Sequence, residues 1–167
     1  MLIVKIKTEN STKKKTSLLC GFVLENSNKV LGLPKFDTKT TSAINQSLKD
    51  MEGKLGKLSI IPIPGKPIQR ILLAGIGKKE NLTKDTIRFV SGRIAQKARE
   101  LKLSEFSIIS PPSFVTDPIS AVSQIIEGSK MALYKFEKFK TEKIETSSNL
   151  TIIVSKSNKI SKAIKIA

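Results

Sequence analysis

Apolar and polar side chains alternate along LIVKIKT, residues 2–8, with the two-residue period of a strand that buries one face. TSLLCGFVLE, residues 16–25, reads as a second strand, the two lying around a lysine-rich turn at Lys13–Lys15. The period then changes. After the loop NSNKVLGLPKF, Asp37 or Thr38 can cap a helix running to about Met51, because Ile44, Leu48 and Met51 recur at helical spacing. GKLSIIPIPG returns to a strand, which its prolines confine to a sheet edge or carry out of the sheet. QRILLAGIG is apolar throughout, as expected of a strand covered on both faces in a parallel sheet.

LTKDTIRFVSGRIAQKARELK is the clearest helix in the chain. Thr83 caps it, Leu82 and Ile87 are spaced as a hydrophobic staple, and Asp85 meets the positive end of the helix dipole. Ile87, Val90, Ile94, Ala98 and Leu101 share one face, with Lys84, Arg88 and Arg99 turned elsewhere. EFSIISPP is a strand stopped by prolines. DPISAVSQIIEGSKMALYKFEKFK is a second long helix starting near Asp117 or Pro118, and LTIIVS is a last strand. In SNKISKAIKIA, Ile160, Ala163, Ile164 and Ala167 fall at helical spacing, so residues 158–167 read as the first turns of a further helix. Strands alternating with long helices predict an α/β domain with a mixed, largely parallel sheet flanked by helices in three layers.

A chain of 167 residues suits one domain with a sizeable core. Its apolar runs fall far short of the roughly 20 residues that cross a membrane, so no membrane partner is expected. The opening residues lack the long apolar region of a signal peptide, which predicts a cytoplasmic location. Cys20 is the only cysteine and sits in a strand-like run, where an inert buried thiol is expected. The chain has no histidine, which removes Ser-His and Cys-His catalytic pairs and every histidine metal ligand. Glu137, Glu142 and Glu145 are the closest-spaced trio of carboxylates, but lysines interleave them, so they read as a solvated helix end.

The net charge of +16 raises the question of a nucleic-acid partner. Residues 1–60 carry 11 basic and 5 acidic side chains (+6), residues 61–120 carry 10 and 5 (+5), and residues 121–167 carry 9 and 4 (+5). The excess is spread along the chain, and only Arg70, Arg88, Arg93 and Arg99 are arginines, the usual readers of guanine edges. Such a coat attracts nucleic acid without sequence preference and loses it as salt rises.

Residues 71–81, ILLAGIGKKEN, place Gly-x-Gly and two lysines at a strand end, where a phosphate loop would sit. A Walker loop needs glycine five residues before Gly77 and Ser or Thr after Lys78, but Leu72 and Lys79 stand there. A dinucleotide fingerprint needs a third glycine where Glu80 brings a negative charge. The glycines are therefore expected to make a tight turn between strand and helix.

RILLAGIGKKENLTKDTIRFVSGRIAQKARELK resembles the leucine aminopeptidase (cytosol aminopeptidase) segment in which an LLVGLGK strand end precedes an Ala-rich helix. IIEGSKMALYKFEKFKTEK resembles that family's second signature, with Glu127, Gly128, Tyr134, Phe136, Phe139 and Lys140 at its positions. The resemblance spans roughly residues 16–155 and falls on the family's N-terminal domain, implying a macro-domain-like α/β fold over residues 1–157 and a linker helix beginning at 158–167, ahead of a catalytic domain. In the family two divalent metals, zinc or manganese, hydrolyse N-terminal residues from peptides, held by motifs resembling Lys-Gly-x-x-Phe-Asp-Ser-Gly-Gly and Asn-Thr-Asp-Ala-Glu-Gly-Arg. Neither motif occurs here, so no catalytic, metal or cofactor residue carries over to this chain. The resemblance further implies a hexamer in which this domain serves assembly and access to the sites. Alternatives from other classes are a basic nucleic-acid-binding module, since some members of the family bind DNA, and an ADP-ribose-binding macro-like domain. Tyr134, Phe136 and Phe139 could stack bases, but their spacing does not fit one helical face, and core or domain-interface packing is expected of them.

Overall fold

The computed structural model describes residues 1–8, 15–137 and 148–155. The extension at 158–167, Lys13, Lys14, Phe139, Lys140, Glu142 and Glu145 lie outside the described residues, as do the side chains of Phe136 and Glu137.

The elements follow in the order β1 (Leu2–Thr8), β2 (Leu19–Leu24), α1 (Thr38–Met51), β3 (Leu58–Pro62), β4 (Arg70–Gly77), α2 (Lys84–Glu100), β5 (Glu105–Ile109), α3 (Pro118–Glu137) and β6 (Ser148–Val154). They build one six-stranded sheet in the order β1-β6-β5-β2-β4-β3. Every pair is parallel except β3 on β4, with Leu58 opposite Ala74 and Pro62 opposite Arg70. The proline-ended strand is thus an edge strand. The two strands at the start of the chain do not meet. β1 is the far edge and pairs only with β6, Leu2 opposite Ser148, while β2 lies in the middle between β5 and β4. The lysine-rich segment therefore joins strands that β5 and β6 separate, because a parallel pair cannot be closed by a short turn.

Two buried clusters show the layers. On one face, Leu72, Ala74 and Ile76 of β4 and Cys20 and Phe22 of β2 pack against Ile87, Val90 and Ile94 of α2 and Ile125 and Leu133 of α3. On the other, Leu73 and Ile71 of β4 and Leu19 and Val23 of β2 pack against Ile44, Leu48 and Met51 of α1. Alternation along each strand feeds both clusters, which is why β4 needs apolar side chains at every position. Phe22 and Phe106 are completely enclosed.

The helix starts are built as their sequences direct. Thr83 and Thr86 exchange hydrogen bonds in a capping box at the start of α2. Asp117 Oδ2 accepts from the Ser120 N–H at 2.9 Å, leaving Pro118 as the first helical residue of α3, where its missing N–H is harmless. Asp37 caps α1, its Oδ1 accepting from the Thr40 N–H at 2.9 Å while Oδ2 meets Lys66 Nζ at 2.9 Å. The Thr40 bond first, and then Lys66, hold the Asp37 carboxyl well below the usual carboxylate range. The charged form is the one the fold favours. Its contribution is complete above the unfolded carboxylate value of about 3.9 and is lost as pH falls below it. Asp37→Asn keeps an oxygen for the cap but has no charge to lose. The variant should therefore flatten the fall of helical signal between about pH 4 and pH 2 in a circular-dichroism acid titration. Superimposable acid curves for the parent and Asp37→Asn would remove Asp37 from the account.

Candidate functional site

The glycine-lysine segment closes β4. Gly77 adopts φ +76°, a left-handed conformation that side chains with a Cβ resist, and a short 3₁₀ turn at Lys79–Asn81 leads into α2. Its amides are already used. Gly75 N–H donates to the Lys57 carbonyl at 2.9 Å, Gly77 N–H to the Gly53 carbonyl at 3.1 Å, and Gly56 N–H back to the Gly75 carbonyl at 2.9 Å. A phosphate cradle needs free, convergent N–H groups, and here two of them are spent on the loop at residues 53–57. The turn reading holds, and the second glycine function is close approach: a Cβ on Gly75 would lie 2.8 Å from the Gly53 carbonyl. The segment supports the 53–57 loop, so that Leu55 lies over Gly77 and Gly56 against the Phe89 ring of α2. On the far side of the turn, Lys79 Nζ stands 5.6 Å from the centre of the Phe114 ring, within cation–π range.

The second signature is also a packing device. Gly128 sits where α3 crosses α2, and a Cβ there would meet the Arg88 carbonyl group, 2.9 Å from its carbon. Gly92 faces it from α2, with Ser91 and Ser129 fully enclosed beside the crossing. Glu127 lies at the surface of the same crossing, its Oε2 3.6 Å from Arg88 Nη1 and its Oε1 accepting from Ser123. Tyr134 is 69% exposed and so is not part of this domain's core, contrary to a purely internal packing role for the aromatic signature. A helix that packs one stripe leaves its other positions to solvent or to a partner, whatever their hydrophobicity.

Among the described residues the carboxylates do not converge. Asp37 pairs with Lys66, Glu52 with Lys54, Glu100 with Lys97, and Asp85 with Arg88. Among the described residues no three His, Cys, Asp or Glu side chains come together as a metal site. The donor set among the described residues does not fit the two divalent metals that the family resemblance implies. Cys20 is buried in the sheet, and burial pushes its thiol well above the ordinary range, which disfavours the thiolate. No helix among the described residues is long and apolar enough to cross a membrane.

A polar cavity of about 140 Å³ lies on the α1 side of the sheet, lined by Lys5, Lys7, Lys15, Ser107 and Thr151 among others. It gathers three of the thirty basic residues, with Glu105 at its rim. Sequence reasoning missed this cluster, although Lys5 and Lys7 stand out as the polar positions of β1. It also missed the grouping of Leu55, Phe89 and Phe114 around the glycine turn, since those three are far apart in sequence.

The described residues form a layered α/β domain in which both glycine-bearing signatures close the domain's own backbone packing. The chain belongs to the cytosol aminopeptidase family and carries its N-terminal domain, whose family profile matches residues 22–143. It is 38% identical over 143 residues to a probable cytosol aminopeptidase of Cenarchaeum symbiosum, covering 84% of this chain and 28% of that protein. A probable cytosol aminopeptidase of Cyanothece sp. is 32% identical over 120 residues, covering 70% and 24%. The chain thus spans about a quarter of the length of these relatives. Its fold matches that of a tomato leucine aminopeptidase mutant with a TM-score of 0.71 at 18% identity, over 99% of this chain and 35% of the tomato chain. A bottromycin maturation enzyme, BotP, matches with a TM-score of 0.56 at 10% identity, over 88% and 29%.

Proposed function

We propose that this chain works as the non-catalytic N-terminal domain of a cytosol-aminopeptidase system, beside a catalytic domain that removes N-terminal residues from peptides with two divalent metals. The observation that carries the reading is the family match over residues 22–143. The relatives it matches extend well beyond the matched segment, and the metal chemistry belongs to that remainder. The domain's part is then assembly of a homo-oligomer, a hexamer in the family, and control of access to the sites, in the cytoplasm. On this reading the 167-residue chain hydrolyses no leucine-p-nitroanilide, with zinc or with manganese. Turnover that copurifies with the chain through successive columns, and scales with its concentration, would refute the assignment.

A second reading, nucleic-acid binding, has one observation in its favour, the gathering of Lys5, Lys7 and Lys15 around one cavity. Among the described residues the lining offers a single aromatic, Phe106, and it belongs to the core on the opposite face. Binding to single-stranded DNA that survives physiological salt would favour this reading over nonspecific attraction. The ADP-ribose reading is the weakest, since Gly75 and Gly77 give their amides to protein carbonyls.

A further inference from the structure

Three large apolar side chains stand exposed around the glycine turn: Leu55 is 56% exposed, Phe89 51% and Phe114 65%. Exposed apolar residues scattered singly are ordinary, but these three flank one short stretch of chain around Gly77 and Lys79. Phe89 touches Gly56, Leu55 covers Gly77, and Lys79, two residues on, lies over Phe114. None of the three is needed by the core. On α2 the inward positions are Ile87 and Val90, and Phe89 points out beside Arg93. The exposed side chains around the patch include the basic Lys54, Lys78, Lys79 and Arg93; Lys54 is paired with Glu52, and Glu80 is a second opposing charge in the turn.

We infer that the Leu55–Phe89–Phe114 surface is the face on which the catalytic portion of the aminopeptidase docks, through an apolar patch ringed by carboxylates. This rests on the functional reading above. Two observations choose the occupant. The family relatives continue for about three times the length that this chain matches, so in them the domain has a large neighbour in the same polypeptide. β2, β4, β5 and β6 run parallel, so β6 ends at Val154 on the rim of the sheet where β4 ends at Gly77. The polypeptide that follows β6 in a longer protein starts from the rim that carries the patch.

The test is a fusion in which residues 1–155 replace the matched segment of the Cenarchaeum symbiosum aminopeptidase, compared with the 167-residue chain alone. Amide exchange at Leu55, Gly56, Phe89 and Phe114 should slow about tenfold or more in the fusion, while Met131 and Tyr134 at the other end of α3 stay unchanged. Leu55→Ser/Phe89→Ser/Phe114→Ser should split the fusion's single thermal transition into two, and Phe114→Ser alone, in a loop, should reverse the protection in part. In the isolated chain the triple variant should melt within about 2 °C of the parent, which separates docking from folding. If the fusion hydrolyses leucine-p-nitroanilide but shows no protection at the patch, the functional reading stands and this surface is wrong. A fusion with neither activity nor protection overturns both. Concentration-dependent dimerisation of the 167-residue chain in sedimentation velocity, abolished by the triple variant, would give the face to a second copy and overturn the occupant named here.

Discussion

Gly128→Ala should destabilise the domain by about 3 kcal/mol, lowering its melting temperature by roughly 6–12 °C. The new methyl group would enter the space of the Arg88 carbonyl, and both sides of that contact are helix backbone, which cannot rotate away as a side chain can. The helices must separate, loosening Ile125 and Leu133 from Ile87, Val90 and Ile94 in the cluster they share. Alanine's better helix propensity returns only about 1 kcal/mol. Gly92→Ala provides an internal control at the same crossing. Its Cβ would sit 3.2 Å from the Gly128 carbonyl oxygen and 3.5 Å from the Ala132 Cβ, a tight contact that small shifts relieve. That variant should melt within about 3 °C of the parent, because propensity and crowding nearly cancel. Equal melting points for the two alanine variants would show that the crossing is loosely packed and that the Glu-Gly signature has some other role.

Gly75→Ala should be about as damaging, by roughly 2–3 kcal/mol, and for a local reason. A Cβ at Gly75 collides with the Gly53 and Lys54 carbonyl groups, so the 53–57 loop must lift. Lifting it breaks the bonds that Gly75 and Gly77 donate and the one Gly56 returns. Each is modest alone, near 1 kcal/mol, but amides left buried without a partner cost more. Hydrogen exchange is the sharper measurement. Amides at Gly56, Gly75 and Gly77 should exchange faster while those of α3 keep pace with the smaller global stability. Uniform acceleration across the domain would mean that the loop and the strand unfold only together with everything else. The same variant should displace Leu55 and weaken the proposed docking surface, linking stability and partner contact at one residue.

Much of this was legible from local pattern. α2 could be read from Thr83, the Leu82–Ile87 staple and the spacing of Ile87, Val90, Ile94 and Ala98, because caps and helical periodicity act within a few residues. β4 declared its burial through RILLAGIG, and the prolines of β3 left an edge or a departure from the sheet, of which the structure has the edge. Pairing was not legible. Nothing in LIVKIKT names Ser148–Val154 as its partner, since a strand's side-chain alternation states which face is buried and not which strand lies beside it. Of the two places expected for the aromatic signature, core or domain interface, the structure removes the core for Tyr134: it sits on a helix whose apolar stripe is defined only once α2 is in place, and it falls outside that stripe. The surface around the glycine turn draws on three separate stretches of chain and exists only in the folded domain.

The seat of β1 has a consequence for how the protein is made. β1 is made well before β6, since Leu2 precedes its partner Ser148 by 146 residues. At about 5–20 residues per second, the first strand waits some 7 to 30 seconds with nothing to pair against. Sheet growth can start from β2, β3 and β4, which are adjacent, and reach β6 before β1 closes the edge. During that interval LIVKIKT is a nascent segment able to add to any open strand edge, its own or a neighbouring chain's, and Lys5 and Lys7 are the charges that discourage the wrong one. Chains shortened at either extremity meet the same fate: without β1, the buried strand β6 becomes a naked border, and without β6, β1 has no place in the sheet.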